Sequence, residues 1–451
     1  MKIIQANELT NTFFEPRKMG DAQETAKNII NSVQKNGDTA LRDFSRQFDQ
    51  AAPAKLEISE TDMKAAADNL QKANPKLYNA LKYSSKLALK FAKRQAQSFE
   101  NFEMEIAPGL FTSQKTIPVE RAGVYVPAGQ FPLISSVIMT TSPAIAAGVK
   151  EIVFCTPPRI HPDDIEKAHA SSPFVGGKPY ADSTILATAY ICGLRKAYAV
   201  GGAQAIAAMA YGTETIPSVD VIAGPGNKYV TDAKKQVFGK VGIDILAGPT
   251  EVFIIADSSA NPKWIAADLL AQAEHDVLAQ AIVATTDTNL AKQISVEIEK
   301  QLQTLSTAEI ARKSIDNHGL IIITKTLKEA AEIANRKAPE HLELAMKAGP
   351  IRNKIEKQVH NYGSLFIGHD VAEVFGDYAA GLNHTLPTSG AARYTGGLSV
   401  RCFLKTCTSL RAKKNNDGSI KTGTKKTSQA SVLIAEAEGL MAHANAAKIR
   451  Q

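Results

Sequence analysis

The feature that most constrains the fold is a series of short apolar runs, rich in valine and isoleucine and mostly ended by glycine or proline. Continuous apolar runs of this length are typical of strands buried on both faces of a parallel sheet. Helical patterns lie between them, and strands that alternate with helices indicate an α/β architecture. The predicted strands lie at 122–126, 151–155, 196–202, 219–226, 242–249, 252–257, 281–286, 320–324 and 364–368, and the clearest helices at 136–147, 203–211, 262–275 and 326–337.

The predicted strands fall into two groups, one at about 125–249 and one that begins near 251. A helical region at 22–102 precedes them and must pack on one of the two sheets. The alanine-rich segment 428–450 is predicted to be a helix, and a polar, lysine-rich segment at 411–426, predicted to be a solvated loop, separates it from the sheets. We therefore expect the C-terminal helix to be an appendage that docks on a partner subunit.

Composition excludes several classes of protein. The net charge is +7, but the lysines are scattered and Trp264 is the only tryptophan, so we expect no nucleic-acid surface. No stretch approaches the roughly 18 apolar residues of a membrane span, and the first residues do not resemble a signal peptide. The 4 cysteines are irregularly spaced, which argues against a disulfide scaffold. Together these features predict a cytoplasmic enzyme.

Two glycine-rich turns are candidates for a nucleotide site. The chain has neither the GxGxxG fingerprint nor the GxxxxGK[ST] loop. GGAQA (201–205) and GPGN (224–227) instead lie where a predicted strand gives way to a helix. Small residues there would let backbone amides approach a phosphate at a helix N-terminus. Such turns are also common in proteins without nucleotides, so from these residues alone the ordinary turn is the more frequent interpretation.

Several O and N donors could bind a divalent metal. Gln272 and His275 lie three residues apart on the predicted helix that begins at Pro262, which places them on one face. Asp377 with His384, and Glu438 with His443, are further candidates: the first two lie in a glycine-rich segment and the second two in an alanine-rich helix. Amide, imidazole and carboxylate groups suit zinc. The spacing cannot bring these donors together, and ordinary helix surface remains an alternative for each.

APEHLELA (338–345) places Glu340 next to His341. An acid beside a histidine suits proton transfer near neutral pH. The alternative is a helix start, with Pro339 in the first turn and Glu340 favoured by the helix dipole. From the residues alone the two interpretations are equally good.

Taken together, these segments resemble histidinol dehydrogenases over nearly the whole chain. Single motifs such as QAEH are weak, but nine segments occur in the family's order. They are RAGVYVPAG (121–129), VGGAQAIAAMAYGTETIPSVD (200–220), AGPGNKYVTDAK (223–234), AGPTEV (247–252), ADLLAQAEHD (267–276), APEHLELA (338–345), NYGSLFIG (361–368), GDYAAGLNHTLPT (376–388) and AEGLMAHANA (435–444). The resemblance implies a zinc-dependent enzyme that oxidises histidinol to histidine with two NAD molecules, the last step of histidine biosynthesis.

Carried over position by position, the resemblance implies a role for each candidate residue. The implied zinc ligands are Gln272, His275, Asp377 and His443; the catalytic pair is Glu340 and His341; Thr250, His384 and Glu438 contact the substrate together with His341 and the zinc ligands; and Tyr125, Gln204 and Asn227 contact NAD.

The resemblance also implies two Rossmann-like domains with small N- and C-terminal helical extensions, assembled as a homodimer. We expect an N-terminal extension at 1–20, a substrate and zinc domain at 21–124 plus 250–398, an NAD domain at 125–249, and a C-terminal extension at 399–451 that completes the partner's site.

Three departures from the family pattern are visible. Thr250 stands where the family usually has serine, the segment at 162–183 is longer than usual and predicted to be a surface loop, and the run at 411–426 carries unusually many lysines. The nearest alternative function is a related zinc- and NAD-dependent dehydrogenase of a small diol such as sulfopropanediol, which shares several of these motifs.

Overall fold

The computed structural model describes residues 1–17, 20–128, 132–168 and 173–450. Its strands are β1 (Lys2–Gln5), β2 (Ala51–Ala52), β3 (Glu57–Ile58), β4 (Phe102–Ala107), β5 (Leu110–Pro118), β6 (Arg121–Tyr125), β7 (Glu151–Thr156), β8 (Phe174–Val175), β9 (Ala197–Ala199), β10 (Val221–Ala223), β11 (Gly242–Ile243), β12 (Glu251–Ala256), β13 (Gln280–Thr285), β14 (Leu320–Ile323), β15 (His341–Ala345), β16 (Ser364–Ile367) and β17 (Leu404–Ala412).

Its helices are α1 (Gln23–Phe48), α2 (Glu60–Ala73), α3 (Pro75–Ala96), α4 (Ile134–Ala147), α5 (Ser183–Ile191), α6 (Gly202–Tyr211), α7 (Lys228–Val237), α8 (Pro262–Ala273), α9 (Thr288–Leu302), α10 (Ala308–His318), α11 (Leu327–Lys337), α12 (Pro350–Glu356), α13 (Glu373–Tyr378), α14 (Thr422–Ala437) and α15 (Met441–Lys448). The chain forms two compact units, Met1–Lys93 with Glu120–Phe403 and Arg94–Val119 with Leu404–Gln451.

The first unit contains two six-stranded sheets with the same order of strands. In the first sheet the order is β1-β14-β13-β12-β15-β16, and all its pairs are parallel. In the second sheet it is β3-β9-β7-β6-β10-β11, with only β3 antiparallel to its neighbour. Without the edge strands β1 and β3, each sheet runs 3-2-1-4-5, the Rossmann order. The predicted fold class is confirmed.

All nine predicted apolar runs contain a strand, and most of these strands are buried on both faces, β11 and β16 being only partly buried. In β12 all six residues are buried. The predicted helices also form, and α8 begins as expected: Asn261 accepts a hydrogen bond from the Lys263 N–H, and Pro262 occupies the first turn.

The helical region before the first strand packs on the second sheet. Ile29, Ile30 and Val33 of α1 share a hydrophobic core with Tyr125 of β6, and α2 contributes Met63 to a core around the same sheet. This differs from the expected grouping of 21–124 with 250–398. At the N-terminus, residues 2–5 form a strand of the first sheet rather than a helical extension, since their backbone pairs with β14.

The second unit contains an antiparallel sheet of order β17-β5-β4 and the helices α14 and α15, which pack on each other. The predicted helix at 428–450 is thus two helices, separated at Gly439, whose φ is 75°. The lysine-rich run at 411–426 is exposed for most of its length but begins in β17 and ends in α14.

Two further findings bear on the predictions. The segment at 162–183 contains a 3-10 turn at Pro162–Lys167 and the short strand β8, while its residues 169–172 lie outside the described residues. Among the residues that the structure describes, no helix combines the length and the apolar character needed to cross a bilayer.

Candidate active site

The Glu340–His341 pair lies at the amino end of a buried strand. His341 is the first residue of β15, which pairs with β12 and β16, and all five of its residues are buried. The preceding helix α11 ends at Lys337, because Ala338 adopts a left-handed conformation with φ 53°. The helix-start interpretation of APEHLELA is therefore wrong. The pair instead lies where the strands of the first sheet begin, at the amino end of β15.

The Glu340 carboxyl group is buried and hydrogen-bonded on one oxygen. Its Oε2 accepts from the Thr250 hydroxyl at 2.5 Å and from the Glu251 N–H at 3.0 Å. Burial raises the pKa of Glu340 to about 7, because it removes water from the charged form, although the charge of His341 and these hydrogen bonds oppose the rise. A carboxyl group with this pKa can take up and release a proton at neutral pH.

His341 lies among carboxyl groups. Its Nδ1 is 3.4 Å from the Glu251 carbonyl oxygen, and its Nε2 is 3.4 Å from Asp377 Oδ1, an ion pair without hydrogen-bond alignment. Burial lowers the pKa of His341, but the negative charges of Glu340, Asp377 and Glu373 outweigh it and raise the pKa to about 10. The imidazole therefore holds its proton firmly while these charges are uncompensated.

The structure brings three of the predicted zinc ligands to one edge of the first sheet. Gln272 is fully buried in the last turn of α8, and Asp377 lies in α13. His275 is exposed and lies just beyond the end of α8, so the predicted helix is two residues too long. Burial raises the pKa of Asp377, but the charges of His341, His384 and His275 bring it below the usual value. His275 is thus close enough to Asp377 to act on its charge.

No cluster of three or more His, Cys, Asp and Glu side chains arranged for a metal ion is found among the described residues. The predicted set has only two such side chains in the first unit, because its third member there is an amide. Zinc binding therefore stays a prediction.

The remaining predicted substrate residues divide between the two units. His384 Nε2 lies 3.0 Å from the Ser135 hydroxyl at the start of α4, so its loop connects the two sheets of the first unit. Burial lowers the pKa of His384. Glu438 and His443 belong to the second unit, where both are exposed. Their role in a partner's site stays a prediction.

The predicted NAD residues gather at the carboxyl ends of strands in the second sheet. Tyr125 ends β6 and accepts a hydrogen bond from the Gly202 N–H at 3.0 Å, so its hydroxyl holds the GGAQA turn. Gln204 is buried in the first turn of α6. Asn227 is exposed and caps α7, its Oδ1 accepting from the Tyr229 and Val230 amides. Dinucleotides bind at this edge of parallel sheets.

Three buried acids, Glu251, Glu343 and Glu373, and the partly buried Asp268 were not predicted. Glu251 begins β12 directly after Thr250, and its backbone contacts both members of the catalytic pair. Glu373 lies within 2.8 Å of the Gln272 amide nitrogen, in the amide orientation that satisfies both atoms. Burial raises the pKa of Glu373 to about 8 and that of Asp268 to about 7, and it raises that of Glu343. A charge within an apolar strand, as in LEL (342–344), is the signal that could have found Glu343.

Comparison with known proteins decides the family. The Histidinol dehydrogenase family profile matches residues 15–451. The chain belongs to the histidinol dehydrogenase family. The histidinol dehydrogenase of Streptococcus mutans is 42% identical over 430 residues, which cover 95% of this chain and 93% of that protein. That of Listeria monocytogenes is 42% identical over 425 residues, covering 94% and 92%.

A solved structure supports the same family assignment. The crystal structure of histidinol dehydrogenase from Elizabethkingia anophelis matches with a TM-score of 0.88 and 34% identity, covering 100% of this chain and 97% of that one. These comparisons confirm the resemblance, the fold class and the predicted class of enzyme, an NAD-dependent oxidoreductase. The diol dehydrogenase alternative finds no support among them.

Proposed function

We propose that the chain oxidises L-histidinol to L-histidine through histidinal and passes two hydrides in succession to two NAD molecules. The observation that carries the proposal is the buried Glu340–His341 pair at the edge of the first sheet. Oxidation of an alcohol to an acid needs a group that takes the hydroxyl proton and a group that activates water for addition to the aldehyde. The pair supplies one group for each.

We assign the alcohol proton to His341 and the water to Glu340. The near-neutral pKa of Glu340 suits a base that activates water, and the Thr250 hydroxyl and Glu251 amide fix its orientation. His341 faces Asp377 through Nε2, and its Nδ1 faces the Glu251 carbonyl oxygen. The extra methyl group of Thr250, compared with the family's serine, lies beside this pair.

A zinc ion fits the donors and the charge of this site. Gln272, His275 and Asp377 offer an amide, an imidazole and a carboxylate, and His443 of a second copy would supply another imidazole. The nearby carboxyl groups of Glu340, Glu343, Glu373 and Asp268 make the site acidic, and His341 Nε2 is buried without an aligned hydrogen bond. When bound, zinc would hold the substrate's nitrogens and lower the pKa of His341 by offsetting the carboxylates.

We further propose that residues 125–249 bind NAD through Tyr125, Gln204 and Asn227, and that 250–398 supply the zinc and substrate site. A cytoplasmic location belongs to the same proposal. It is supported by the cysteines, all of which are free.

The test is a substrate panel with purified, zinc-loaded protein. We expect two NADH per histidinol consumed and no turnover of short diols, including sulfopropanediol. Chelation should abolish NADH formation and Zn²⁺ should restore it. Oxidation of a diol in preference to histidinol would replace the proposed substrate, and full activity in verified metal-free protein would remove the metal.

The proposed assembly is a homodimer in which the extension at 399–451 completes the neighbouring site. Its support is that Glu438 and His443, matched to substrate and zinc positions, are exposed in their own unit. A Glu340→Ala/His341→Ala chain and a His443→Ala chain should each be inactive, and mixing them should regenerate activity, since one site of the mixed dimer has every group intact. Heterodimers that form without activity would mean that each site is built within one chain.

A further inference from the structure

We infer that Lys337 and Glu251 form a positioning pair for the catalytic residues, with Glu251 holding Glu340 and His341 through its backbone. The two side chains are almost inaccessible, at 2% and 1% exposure. Lys337 Nζ lies 3.0 Å from Glu251 Oε2. The kinetic part of this inference rests on the proposed function.

The backbone of Glu251 contacts both members of the catalytic pair. Its N–H donates to Glu340 Oε2 at 3.0 Å, and its carbonyl oxygen lies 3.4 Å from His341 Nδ1. Since Val252 pairs with His341 across the two strands, Glu251 lies one residue further toward the amino edge. A small shift of this peptide would therefore move the acid and the base together.

The side chain of Glu251 adds two polar contacts to the strand pairing that holds this part of the backbone. Its Oε1 accepts from the Ser389 N–H at 3.0 Å, while Oε2 forms the ion pair with Lys337 without hydrogen-bond alignment. Lys337 is three residues before Glu340 and ends α11, and its Nζ also lies 3.5 Å from the Phe13 carbonyl oxygen. The ion pair thus connects β12, whose first residue contacts the catalytic pair, to the segment 337–341, which contains the pair.

Backbone strain at the same place is an independent observation. Among the described residues, Ala338 and Ser389 are the two non-glycine residues with positive φ, at 53° and 54°. Ala338 follows Lys337, and Ser389 donates to Glu251. Strain of this kind persists only where the surroundings impose it, and it concentrates at functional sites.

Stability alone does not explain the pair. Two charges removed from water cost free energy that their attraction only partly recovers, and a neutral pair of similar shape is often equally stable. The position of this buried ion pair beside the catalytic residues is better explained if it fixes the positions of Glu340 and His341.

The test compares Lys337→Met, Glu251→Gln and the double variant Lys337→Met/Glu251→Gln in the full, zinc-loaded protein. Glu251→Gln is the mildest change, because the amide keeps the shape of the side chain. It still disrupts the contacts, because an amide has only one acceptor oxygen for the two donors, the Ser389 N–H and Lys337 Nζ. We expect kcat for histidinol to fall about tenfold or more in every variant. The KM for NAD should change by less than about threefold.

The double variant separates positioning from stability. It leaves no unpaired buried charge, so its unfolding temperature should recover to at least that of Lys337→Met, while kcat stays low. The matched control is Lys313→Met/Glu309→Gln, which removes an exposed pair on α10 and should leave kcat unchanged. Recovery of kcat together with stability in the double variant would overturn the inference, as would a KM for NAD that rises in parallel with the loss of kcat.

A second measurement does not depend on the substrate. Hydrogen exchange at the Glu251 amide should become at least about tenfold faster in the folded variants, because its bond to Glu340 loosens. Unchanged protection in all three variants would overturn the inference. If the unaltered protein fails to oxidise histidinol but its variants show faster exchange at this amide, the proposed function fails and the positioning pair stands.

Discussion

The two sheets of the first unit share a strand order, but the candidate catalytic residues and the predicted NAD residues lie at opposite ends of their strands. In the first sheet the candidate catalytic residues lie at the amino ends of β12 and β15. In the second sheet the predicted NAD residues lie at the carboxyl ends of β6, β9 and β10, where ligands of such sheets usually bind. The contact between His384 and Ser135 joins the two edges. On the proposed assignments, a shared topology does not determine which ends of the strands carry the chemistry.

The two halves also differ in their buried charges. Around the first sheet, burial raises the pKa of Asp268, Glu340, Glu343 and Glu373. Around the second, the cores are apolar, and a buried Lys234–Asp244 ion pair holds both peptide groups of Gly224, with the Gly224 N–H 2.8 Å from Asp244 Oδ2 and its carbonyl 3.0 Å from Lys234 Nζ. The first half concentrates titratable groups around the candidate catalytic pair. The other uses charge to fix a turn.

The largest expected effect tests whether the catalytic half divides its work between two residues. His341→Asn should lower the rate of the first hydride transfer by about 10²–10⁴-fold, the usual contribution of a general base. Glu340→Gln should slow oxidation of supplied histidinal by a similar factor and leave the first NADH nearly unaffected. Single-turnover measurements with histidinol and with histidinal separate the two steps. Equal losses in both steps for Glu340→Gln would show that the pair acts as one unit.

A tenfold effect is expected in the other half. Asn227→Ser keeps an oxygen that caps α7 but removes the amide group, so the KM for NAD should rise about tenfold with an unchanged unfolding temperature. Asn227→Ala loses the cap as well and should also lower the free energy of unfolding by about 1 kcal/mol. Steady-state kinetics with each substrate varied in turn provide the measurement. If only the KM for histidinol moves, the proposed division between the halves is wrong.

The same contrast explains what the sequence could predict. Buried parallel strands are continuous apolar runs, so β6, β7, β12 and β13 were readily found. β15 has no such pattern, because His341 and Glu343 interrupt its apolar residues, and His341 belongs to the candidate site. Edge strands such as β1 are short and have no distinctive apolar pattern. The strand β1 forms because its backbone pairs with β14, and the sequence of residues 2–5 alone does not show this.

The candidate site was predictable only in part. Glu340, Asp377 and Gln272 were named from motifs, but their contacts depend on which strand ends lie together. Glu251 lies only one residue from Thr250, yet its role depends on a lysine 86 positions further along the chain. Such a pairing across distant elements leaves no local pattern in the sequence.

The smallest expected effect concerns Asp49, a carboxyl group near the second sheet that resembles those of the first. Burial raises the pKa of Asp49 to about 7 from the usual 3.8, although the positive charge of Arg159 opposes it. The folded state therefore binds this proton more tightly than the unfolded state. The resulting stability is complete below about pH 4 and is lost as the pH rises to about 7.

Asp49→Asn should remove this loss, because its neutral amide has no proton to release. The side chain is partly accessible, so we expect the variant to gain only about 1 kcal/mol relative to the unaltered chain between pH 5 and pH 8, or about 1–2 °C in unfolding temperature. Thermal unfolding at the two pH values measures it, with Asp43→Asn, an exposed position on the helix that ends just before Asp49, as the control. An unfolding temperature that depends on pH equally in Asp49→Asn and the unaltered chain would mean that this carboxyl group is hydrated and keeps its usual pKa. The contrast between the two halves would then be sharper, because Asp49 would no longer resemble the carboxyl groups around the first sheet.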